Sequence, residues 1–293
     1  MTPDSLRILL AGLVDYAGLF PPAQLSMAEV AANYAAYRQS ADAWALGRLI
    51  VPVSRLDELS AAMTALQLGE GAPWRISALA GNDSADDARR IESWNTSTNN
   101  AVVDTVELRA TSPDAIANFA DVFRDVTLYV EFPLTGDSTA YLDAIAHAGV
   151  RAKIRTGGVT PDAFPASAQI AHFLRGCADR AVPFKATAGL HHPVRDSYRL
   201  TYEPNSACGD MFGFLNVFVA AAFARKGLPE RELIPLLEER DPSSLQFADD
   251  TIRWRAEEVD IQRLAEIRTT FAIAFGSCSF REPIDDLHQL GML

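Results

Sequence analysis

Short runs of β-branched and aromatic residues alternate along the chain with longer stretches in which apolar residues recur every three or four positions. The first pattern predicts strands, and the second predicts amphipathic helices. The predicted strands are Val14–Phe20, Arg48–Val53, Trp74–Ala80, Ala101–Leu108, Val126–Phe132, Val150–Arg155, Val182–Thr187 and Thr270–Phe275. The predicted helices are Pro3–Leu13, Met27–Gln39 after a Ser26 cap, Leu56–Leu66, Ala85–Trp94, one opened by Ser112 or Pro113, Thr139–Ala148 ending at Gly149, Ala166–Arg175 and Pro283–Leu290.

This alternation indicates βαβ units and a parallel sheet. Eight strand-like runs with helices between them favour an α/β fold, a closed (β/α)8 barrel, as one domain over residues 1–293. The length suits this fold, because such barrels are typically about 250 residues long or more. An open, doubly wound sheet is the second fold that the pattern fits.

One segment, Leu190–Glu266, is far longer than an ordinary connection between barrel elements. Within it, Met211–Lys226 and Pro229–Arg240 are predicted helices, and Leu245–Trp254 is a predicted hairpin that turns at Asp249-Asp250. We expect an insertion between strands seven and eight that lies over the C-terminal end of the barrel. Its apolar helix is expected to pack on the barrel or on a second subunit of a homo-oligomer.

Composition excludes several classes of partner. A formal net charge of −12 argues against binding to nucleic acid or to an anionic membrane, since both require a basic surface. No basic start followed by an apolar core opens the sequence, and no apolar run is long enough to span a bilayer. Three cysteines without regular spacing do not suggest a disulfide framework, so we expect a cytoplasmic protein.

Lysine is scarce, because among 26 basic residues only Lys153, Lys185 and Lys226 are lysines. A lysine can lose its proton and act as a nucleophile, whereas arginine cannot. Lys153 and Lys185 lie near the ends of neighbouring predicted strands, where barrel enzymes place their active sites. Two amines at close range lower each other's pKa, so one can form a Schiff base with a carbonyl compound. The alternative is that both are ion-pair partners at the barrel mouth.

Four carboxylates are candidates for the proton transfers that this chemistry requires. Asp104 and Glu107 are three residues apart on one predicted strand, so on a regular strand only one of them enters the barrel. Asp15 is near the first strand, and Glu131 ends the strand Val126–Phe132. Taken singly, each fits a structural ion pair better, but we expect at least one beside the lysines.

Small-residue turns follow the last three barrel strands and could present backbone N–H groups to an anion. Arg155 and His191 are candidate side-chain contacts to the substrate. The turn residues singled out for this role are Thr156, Gly157, Gly158, Gly189, Gly276, Ser277 and Ser279. An ordinary tight turn explains any one of the three better, but the three together leave an anion site and plain turns equally open.

The adjacent histidines His191 and His192 would need a third ligand to bind a metal, for which Glu131, His172 and Asp210 are candidates. This leaves open a metal-dependent isomerase, lyase or hydrolase. A non-catalytic binding barrel, with the insertion as partner surface, is the third alternative. The leading hypothesis is a lyase that needs no cofactor.

The lysine strands give the sequence a resemblance to the class I aldolases of the 2-deoxyribose-5-phosphate aldolase group. It extends over most of the barrel, and the two lysine segments are its specific part. The segments are Leu6-Arg7 through Val14-Asp15, Val103-Asp104-Thr105-Val106, Lys153-Ile154-Arg155-Thr156-Gly157, Phe184-Lys185-Ala186-Thr187-Ala188-Gly189 and Phe275-Gly276-Ser277-Cys278-Ser279.

The resemblance implies a Schiff base at Lys153, a pKa-lowering role for Lys185 and a part in proton transfer for Asp104. It also implies phosphate contacts by Gly157, Gly189, Ser277 and Ser279 where the substrate carries a phosphate. Ala188 replaces the first glycine of a pair, and the segment after it is longer than in the family. The resemblance therefore implies an aldolase-like reaction on a small oxo acid or sugar-like carbonyl compound, without naming it.

Overall fold

The computed structural model describes residues 2–67, 71–134 and 138–293. The helices are α1 (Asp4–Leu10), α2 (Met27–Tyr37), α3 (Leu56–Ala65), α4 (Ser84–Ser97), α5 (Ala115–Val122), α6 (Thr139–Ala148), α7 (Ser167–Asp179), α8 (Phe214–Lys226), α9 (Glu230–Leu237), α10 (Ile261–Thr270) and α11 (Arg281–Gln289). The strands are β1 (Val14–Tyr16), β2 (Leu46–Pro52), β3 (Trp74–Leu79), β4 (Ala101–Arg109), β5 (Thr127–Glu131), β6 (Arg151–Arg155), β7 (Phe184–Thr187), β8 (Asp196–Arg199), β9 (Cys208–Met211), β10 (Gln246–Phe247), β11 (Thr251–Trp254), β12 (Glu257–Asp260) and β13 (Ala272–Ser277).

Eight parallel strands close into a barrel in the order β1-β13-β7-β6-β5-β4-β3-β2. Because β1 pairs with both β13 and β2, the sheet has no free edge, which excludes the open sheet. Helices alternate with the strands, so the (β/α)8 barrel predicted from the sequence is confirmed. The C-terminal ends of the parallel strands meet at one rim, and the functional residues are to be sought there.

Local signals in the sequence fix several helix ends. The Ser26 hydroxyl accepts a hydrogen bond from the Glu29 amide, and the Glu29 side chain accepts from the Ser26 amide, which caps α2 as predicted. Gly149 adopts a left-handed conformation that ends α6. The prediction for α1 is too long, because the helix stops at Leu10 and Gly12 turns the chain at φ +59°.

The long segment between β7 and β13 does not form one insertion over the rim. The helix α8 lies in the outer layer, where it packs against α7, α9 and β13, and its residues from Phe214 to Ala224 are all buried. Such a helix is apolar on every side, and here its surface is covered within the chain. Within the described ranges, no helix is both long and apolar enough to cross a bilayer.

The rest of the segment forms two small antiparallel sheets. The predicted hairpin is present as β10 and β11, and β12 adds a third strand that the sequence did not indicate. The other sheet, β8–β9, was also missed, because its residues are mostly exposed and lack an apolar alternation. From the loop joining β8 to β9, Tyr202 reaches Cys278 beyond the end of β13. This loop therefore contacts the rim, as do Gly189 and His191, which directly follow β7.

At the opposite, N-terminal end of the barrel, the buried guanidinium of Arg268 joins the first helix to the last barrel strand. It donates to the carbonyl oxygens of Leu9 at 2.6 Å and Ala11 at 3.0 Å, and to those of Ala272 and Ile273. Burial lowers the pKa of Arg268 to about 10, so it remains charged at neutral pH. Four carbonyl oxygens thus satisfy this cation without a carboxylate among them.

Candidate active site

The two lysines singled out in the sequence lie side by side inside the barrel. Lys153 on β6 and Lys185 on β7 are partners in the parallel ladder between these strands. Both are buried, with 5% and 1% of the residue exposed. Their amines therefore enter the barrel interior together, and neither extends into the outer helical layer.

A single carboxylate, that of Glu107 on β4, lies between the two amines. Its Oε1 accepts a hydrogen bond from Lys185 Nζ at 2.6 Å, and its Oε2 lies 2.8 Å from Lys153 Nζ. The hydroxyl of Ser77 on β3 also donates to Oε1, at 2.7 Å. Because the carboxyl group is held from three sides, Glu107 fixes the separation of the two amines.

Each amine also has a carboxylate of its own. Lys185 Nζ donates to Asp15 Oδ2 on β1 at 2.6 Å, and Lys153 Nζ lies 3.1 Å from Glu131 Oε2 on β5. Three of the four candidate carboxylates therefore meet the lysines. The result is a continuous chain of alternating charge across the barrel: Asp15, Lys185, Glu107, Lys153, Glu131 and Arg155.

The carboxylates determine the charge of Lys185. Burial by itself lowers its pKa, but Asp15 and Glu107 outweigh burial and raise the pKa above the ordinary lysine value. Burial raises the pKa of Glu107, but the two lysines lower it more, well below its usual range. The repulsion between the two amines that the sequence predicts does not lower the pKa of Lys185, because the carboxylate of Glu107 lies between the two cations.

A cavity of about 350 Å³ opens above this cluster at the C-terminal rim. Lys153 and Glu107 line it, whereas Lys185 lies beneath its wall. The polar part of the lining also includes Arg155, Thr187 and His191. The apolar part is formed by Ala17, Phe20, Pro21, Pro22, Ile50, Leu79 and Val159. The volume is at the lower end of the range for small-molecule sites, roughly 300–1,000 Å³.

The structure does not bring Asp104 to the lysines. Its Oδ1 accepts from Arg48 Nε at 2.6 Å, and its Oδ2 accepts from Arg75 Nε at 2.7 Å. Asp104 is three residues before Glu107 on β4, about 10 Å nearer the N-terminal end of the barrel. The proton-transfer role implied for Asp104 by the resemblance therefore has no geometric support, and Glu107 is the β4 carboxylate at the amines.

A β-bulge lies where Asp104 was expected to follow the regular alternation. In the ladder between β3 and β4, Ile76 pairs with Val103, but the next residue, Ser77, pairs with Thr105. Asp104 is the extra residue and has no partner in that ladder. The alternation rule therefore does not relate the direction of Asp104 to that of Glu107.

The turns after β6 and β7 are packed against each other. Thr156 Oγ1 donates to the carbonyl oxygen of Ala188 at 2.6 Å, which links the two turns. Gly189 has φ +69°, and a Cβ there would lie 2.9 Å from the Cα of Gly157. A Cβ at Gly157 would in turn overlap the ring of Phe164. Tight packing explains these two glycines without an anion.

The remaining anion candidates divide into two sets. Gly158, Gly189, Gly276 and Arg155 line the cavity. Ser277 and Ser279 are not among the residues that line it. Ser279 Oγ accepts from the amide of Glu282 at the start of α11, and the Ser277 carbonyl accepts from Ala17 on the opposite loop. Both serines are therefore engaged in holding the rim together.

The adjacent histidines both contact carboxylates of α11. His191 Nδ1 lies 2.9 Å from Glu282 Oε2, and His192 Nδ1 lies 2.6 Å from Asp286 Oδ2. Burial alone would lower the pKa of His191, but its contacts with Cys278 and Glu282 raise the pKa to about 10. His191 is therefore a cation in the cavity wall at neutral pH.

The residues suggested as a third metal ligand lie elsewhere. His172 pairs with Glu230, Asp210 pairs with Arg240, and Glu131 faces Lys153. Among the residues that the structure describes, no three His, Cys, Asp or Glu side chains are grouped as a metal site would require. The metal-dependent alternative gains no support from this arrangement.

Sequence reasoning missed three contributors to the site. Ser77 holds Glu107, Glu282 holds His191, and Cys278 lies 3.9 Å from His191 in the cavity wall. Glu282 is 91 residues from its partner along the chain, so no spacing rule relates the two. Cys278 does leave a signal in the sequence, because it lies in the small-residue turn after the last barrel strand.

No family model matches the sequence, and no curated protein matches it. Among solved structures, the chain is similar to one described as a "putative deoxyribose-phosphate aldolase" from Coccidioides immitis. That alignment has a TM-score of 0.42 and 11% identity, and it covers 66% of this chain and 77% of the other. A similarity at this level assigns the chain to no family.

Proposed function

We propose that this protein is a Schiff-base-forming enzyme of the lyase kind, in which Lys153 condenses with a small carbonyl compound. The observation that carries the proposal is the position of the Lys153 amine. It reaches the cavity wall and lies between Glu107 and Glu131, at 2.8 and 3.1 Å. A nucleophile, two groups that can move its protons and a space for a substrate are thus adjacent.

The two lysines have different environments, which favours Lys153 as the nucleophile. Lys185 lies behind the cavity wall and is held as a cation by Asp15 and Glu107, both at 2.6 Å. An ammonium group has no free electron pair, so Lys185 cannot attack a carbonyl carbon. Its charge instead keeps Glu107 ionised, and the ionised carboxylate holds the amine of Lys153 in place at 2.8 Å.

The reaction can be written with the groups at hand. When a substrate displaces water from the cavity, Lys153 passes one proton to Glu107 or Glu131, and the free amine attacks the carbonyl carbon. The resulting carbinolamine loses its oxygen as water, with a proton supplied by the protonated carboxyl group. The product is an iminium ion that joins Lys153 to the substrate carbon.

The iminium then withdraws an electron pair from a neighbouring C–C bond. A carboxylate removes the proton of the hydroxyl group on the departing carbon, which leaves as an aldehyde or ketone, and an enamine stays on Lys153. Protonation of the enamine and hydrolysis of the iminium release the second carbonyl product. No oxidant, reductant or cofactor enters this sequence.

The cavity favours a short substrate with one anionic end. Arg155 lies at the cavity with 54% of its side chain exposed, and its guanidinium contacts Glu131 at 3.3 Å. Guanidinium groups bind carboxylates and phosphates through paired hydrogen bonds. The apolar wall opposite, which includes Phe20 and Ile50, suits the carbon chain. A small oxo acid or a sugar-like carbonyl compound, with or without a phosphate, fits these features.

Borohydride trapping tests the proposal. The protein is incubated with a panel of small aldehydes, ketones and oxo acids, reduced with cyanoborohydride and mapped by peptide mass spectrometry. We expect a reduced adduct on Lys153 and none above background on Lys185. Because the chain has three lysines, assignment of the adduct is direct.

Two variants provide the controls. Lys153→Met removes the amine and should abolish the adduct. Lys226→Met removes the third lysine, which is exposed and far from the cavity, and should leave the adduct unchanged. An adduct on Lys185, or none on Lys153 with any member of a broad panel, would overturn the proposal.

A further inference from the structure

A second group of reactive side chains lies in the wall of the same cavity. Cys278, just beyond β13, and His191, just beyond β7, both line it. The Sγ atom lies 3.9 Å from His191 Nδ1 and 3.5 Å from the hydroxyl of Tyr202. Glu282 Oε2 accepts from this hydroxyl at 3.2 Å and lies 2.9 Å from His191 Nδ1. The Schiff-base chemistry uses none of these four groups.

The histidine has one ring nitrogen engaged and one available. Among the contacts of the described residues, those of the His191 ring are made through Nδ1. A carboxylate at Nδ1 fixes the ring and stabilises its cationic form, although the sulfur lies at the same nitrogen as the carboxylate, unlike the arrangement in a nucleophile–histidine–carboxylate triad. Glu282 therefore places a fixed imidazolium beside a thiol at the edge of a substrate-sized space.

A cation and hydrogen-bonding groups surround the sulfur. The titratable groups near Cys278 are His191 beyond β7, Tyr202 between β8 and β9, Glu282 on α11 and Tyr16 on β1. His191 is cationic and the Tyr202 hydroxyl can donate to sulfur, whereas Glu282 is the carboxylate that holds both of them.

We propose that Cys278, paired with His191 and positioned by Glu282 and Tyr202, is a second nucleophile of the cavity that adds reversibly to small aldehydes. The thiolate attacks the carbonyl carbon, a C–S bond forms, and the π electron pair moves to the oxygen. The imidazolium of His191 gives its proton to that oxygen, which yields a hemithioacetal and a neutral histidine. The reverse steps restore the aldehyde, and no electrons are gained or lost.

An aldehyde is the expected ligand class for two reasons. Thiols add readily to unhindered aldehyde carbonyls and scarcely to ketones. The cavity of about 350 Å³ also admits only a small molecule. This reaction extends beyond the proposed function, because it requires neither Lys153 nor a Schiff base.

The first test is the rate of alkylation by iodoacetamide at pH 7, read for each cysteine by peptide mass mapping in the wild type and in variants of the groups around the sulfur. The exposed Cys208 is an internal control, and all three cysteines are free. We expect Cys278 to be alkylated at a rate that depends on His191, whereas the rate of Cys208 does not.

Two variants test the pairing of Cys278 with His191. His191→Asn should slow alkylation of Cys278 at pH 7 by at least tenfold and leave that of Cys208 unchanged. Tyr202→Phe, which removes one hydroxyl from an exposed ring, should slow it by a smaller factor, and this variant replaces the histidine variant if that one does not fold. A Cys278 rate that is unchanged in the variants, or no alkylation of Cys278 in the wild type, overturns the proposal.

The second test uses propionaldehyde, with acetone as the matched ketone. Propionaldehyde should slow alkylation of Cys278 several-fold more than that of Cys208, and acetone should not. The experiment is repeated with Lys153→Met, which cannot form a Schiff base. Protection that persists in this variant supports the thiol, and protection that disappears assigns it to Lys153 and refutes the proposal.

Discussion

Replacement of Lys185 by methionine isolates the electrostatic part of the cluster. Methionine keeps most of the apolar stem of lysine and removes the charge. The lost amine contacts Asp15 and Glu107, both at 2.6 Å, and none of the three side chains is more than 2% exposed. Solvent therefore cannot replace the cation, and the variant measures the cost of leaving buried carboxylates without it.

Asp15 and Glu107 do not lose the same share of their contacts when Lys185 is replaced. Glu107 keeps its contacts with Lys153 and Ser77. Asp15 keeps the backbone amide of Arg48, which donates to its Oδ1 at 2.6 Å. Removal of one partner from a buried ion pair costs about 3–5 kcal/mol. We expect Lys185→Met to lower the free energy of unfolding at pH 7 by this amount, with Asp15 responsible for most of it.

The effect should depend on pH in a direction that follows from the pKa shifts. The raised pKa of Lys185 stabilises the wild type below about pH 10.4, and this stabilisation is lost as pH rises through the folded-state value. The lowered pKa of Glu107 stabilises it above about pH 4.3, and that part is lost as pH falls through its folded-state value. Without Lys185, the pKa of Glu107 rises, so the folded variant takes up a proton at a higher pH than the folded wild type does, and the deficit of the variant should shrink as the pH is lowered towards and below about 4.3.

Urea unfolding followed by circular dichroism measures these quantities. Lys226→Met, at an exposed position, is the matched control and should change stability by less than about 0.5 kcal/mol. The double variant Lys185→Met/Asp15→Asn should be more stable than Lys185→Met alone, because the unpaired charge is gone. A loss below about 1 kcal/mol at pH 7, or no recovery in the double variant, would refute the reasoning.

Two further substitutions test the packing and the assignment of the site. Gly189→Ala should lower the free energy of unfolding by more than the roughly 1–2 kcal/mol that a left-handed alanine costs, since its Cβ would also overlap Gly157. Gly149→Ala is the control, because Gly149 has a similar φ and open space around it. In the same urea titration this control measures the cost of the backbone conformation alone. Equal losses would remove the packing argument. Asp104→Asn should leave the yield of reduced adduct on Lys153 unchanged, because Asp104 pairs with two arginines away from the amines, and a large fall in that yield would restore it to the site.

The barrel and its amine pair could be anticipated because each leaves a local signal. Apolar runs and helical periodicity gave the alternation of elements, and the position of each lysine near a strand end located it at the rim. The ladder between β6 and β7 then places Lys153 opposite Lys185, as adjacency of successive strands requires. Features that repeat along the chain, or that lie at a fixed position relative to a strand end, could therefore be predicted from the sequence.

The candidate residues for proton transfer could be predicted from the sequence only in part. The bulge in β4 adds one residue at Asp104, and nothing in Val103-Asp104-Thr105 marks where the ladder slips. The contact of His191 with Glu282 is set by how α11 closes over the rim, which depends on packing across the whole barrel. Such contacts depend on tertiary structure, and no local pattern in the sequence predicts them.

Closure of the barrel joins segments from the two extremes of the chain. Arg268 and Leu9, which meet through one hydrogen bond, are 259 residues apart. The entropy lost in bringing such distant segments together grows only with the logarithm of their separation, but non-local contacts of this kind slow the search for the native state. During synthesis, β1 can pair with β2 early, but its other edge stays unpaired until β13 has been made. Until β13 is in place, the incomplete sheet has two edges with unpaired N–H and C=O groups. Pairing with another chain is therefore easiest during this interval.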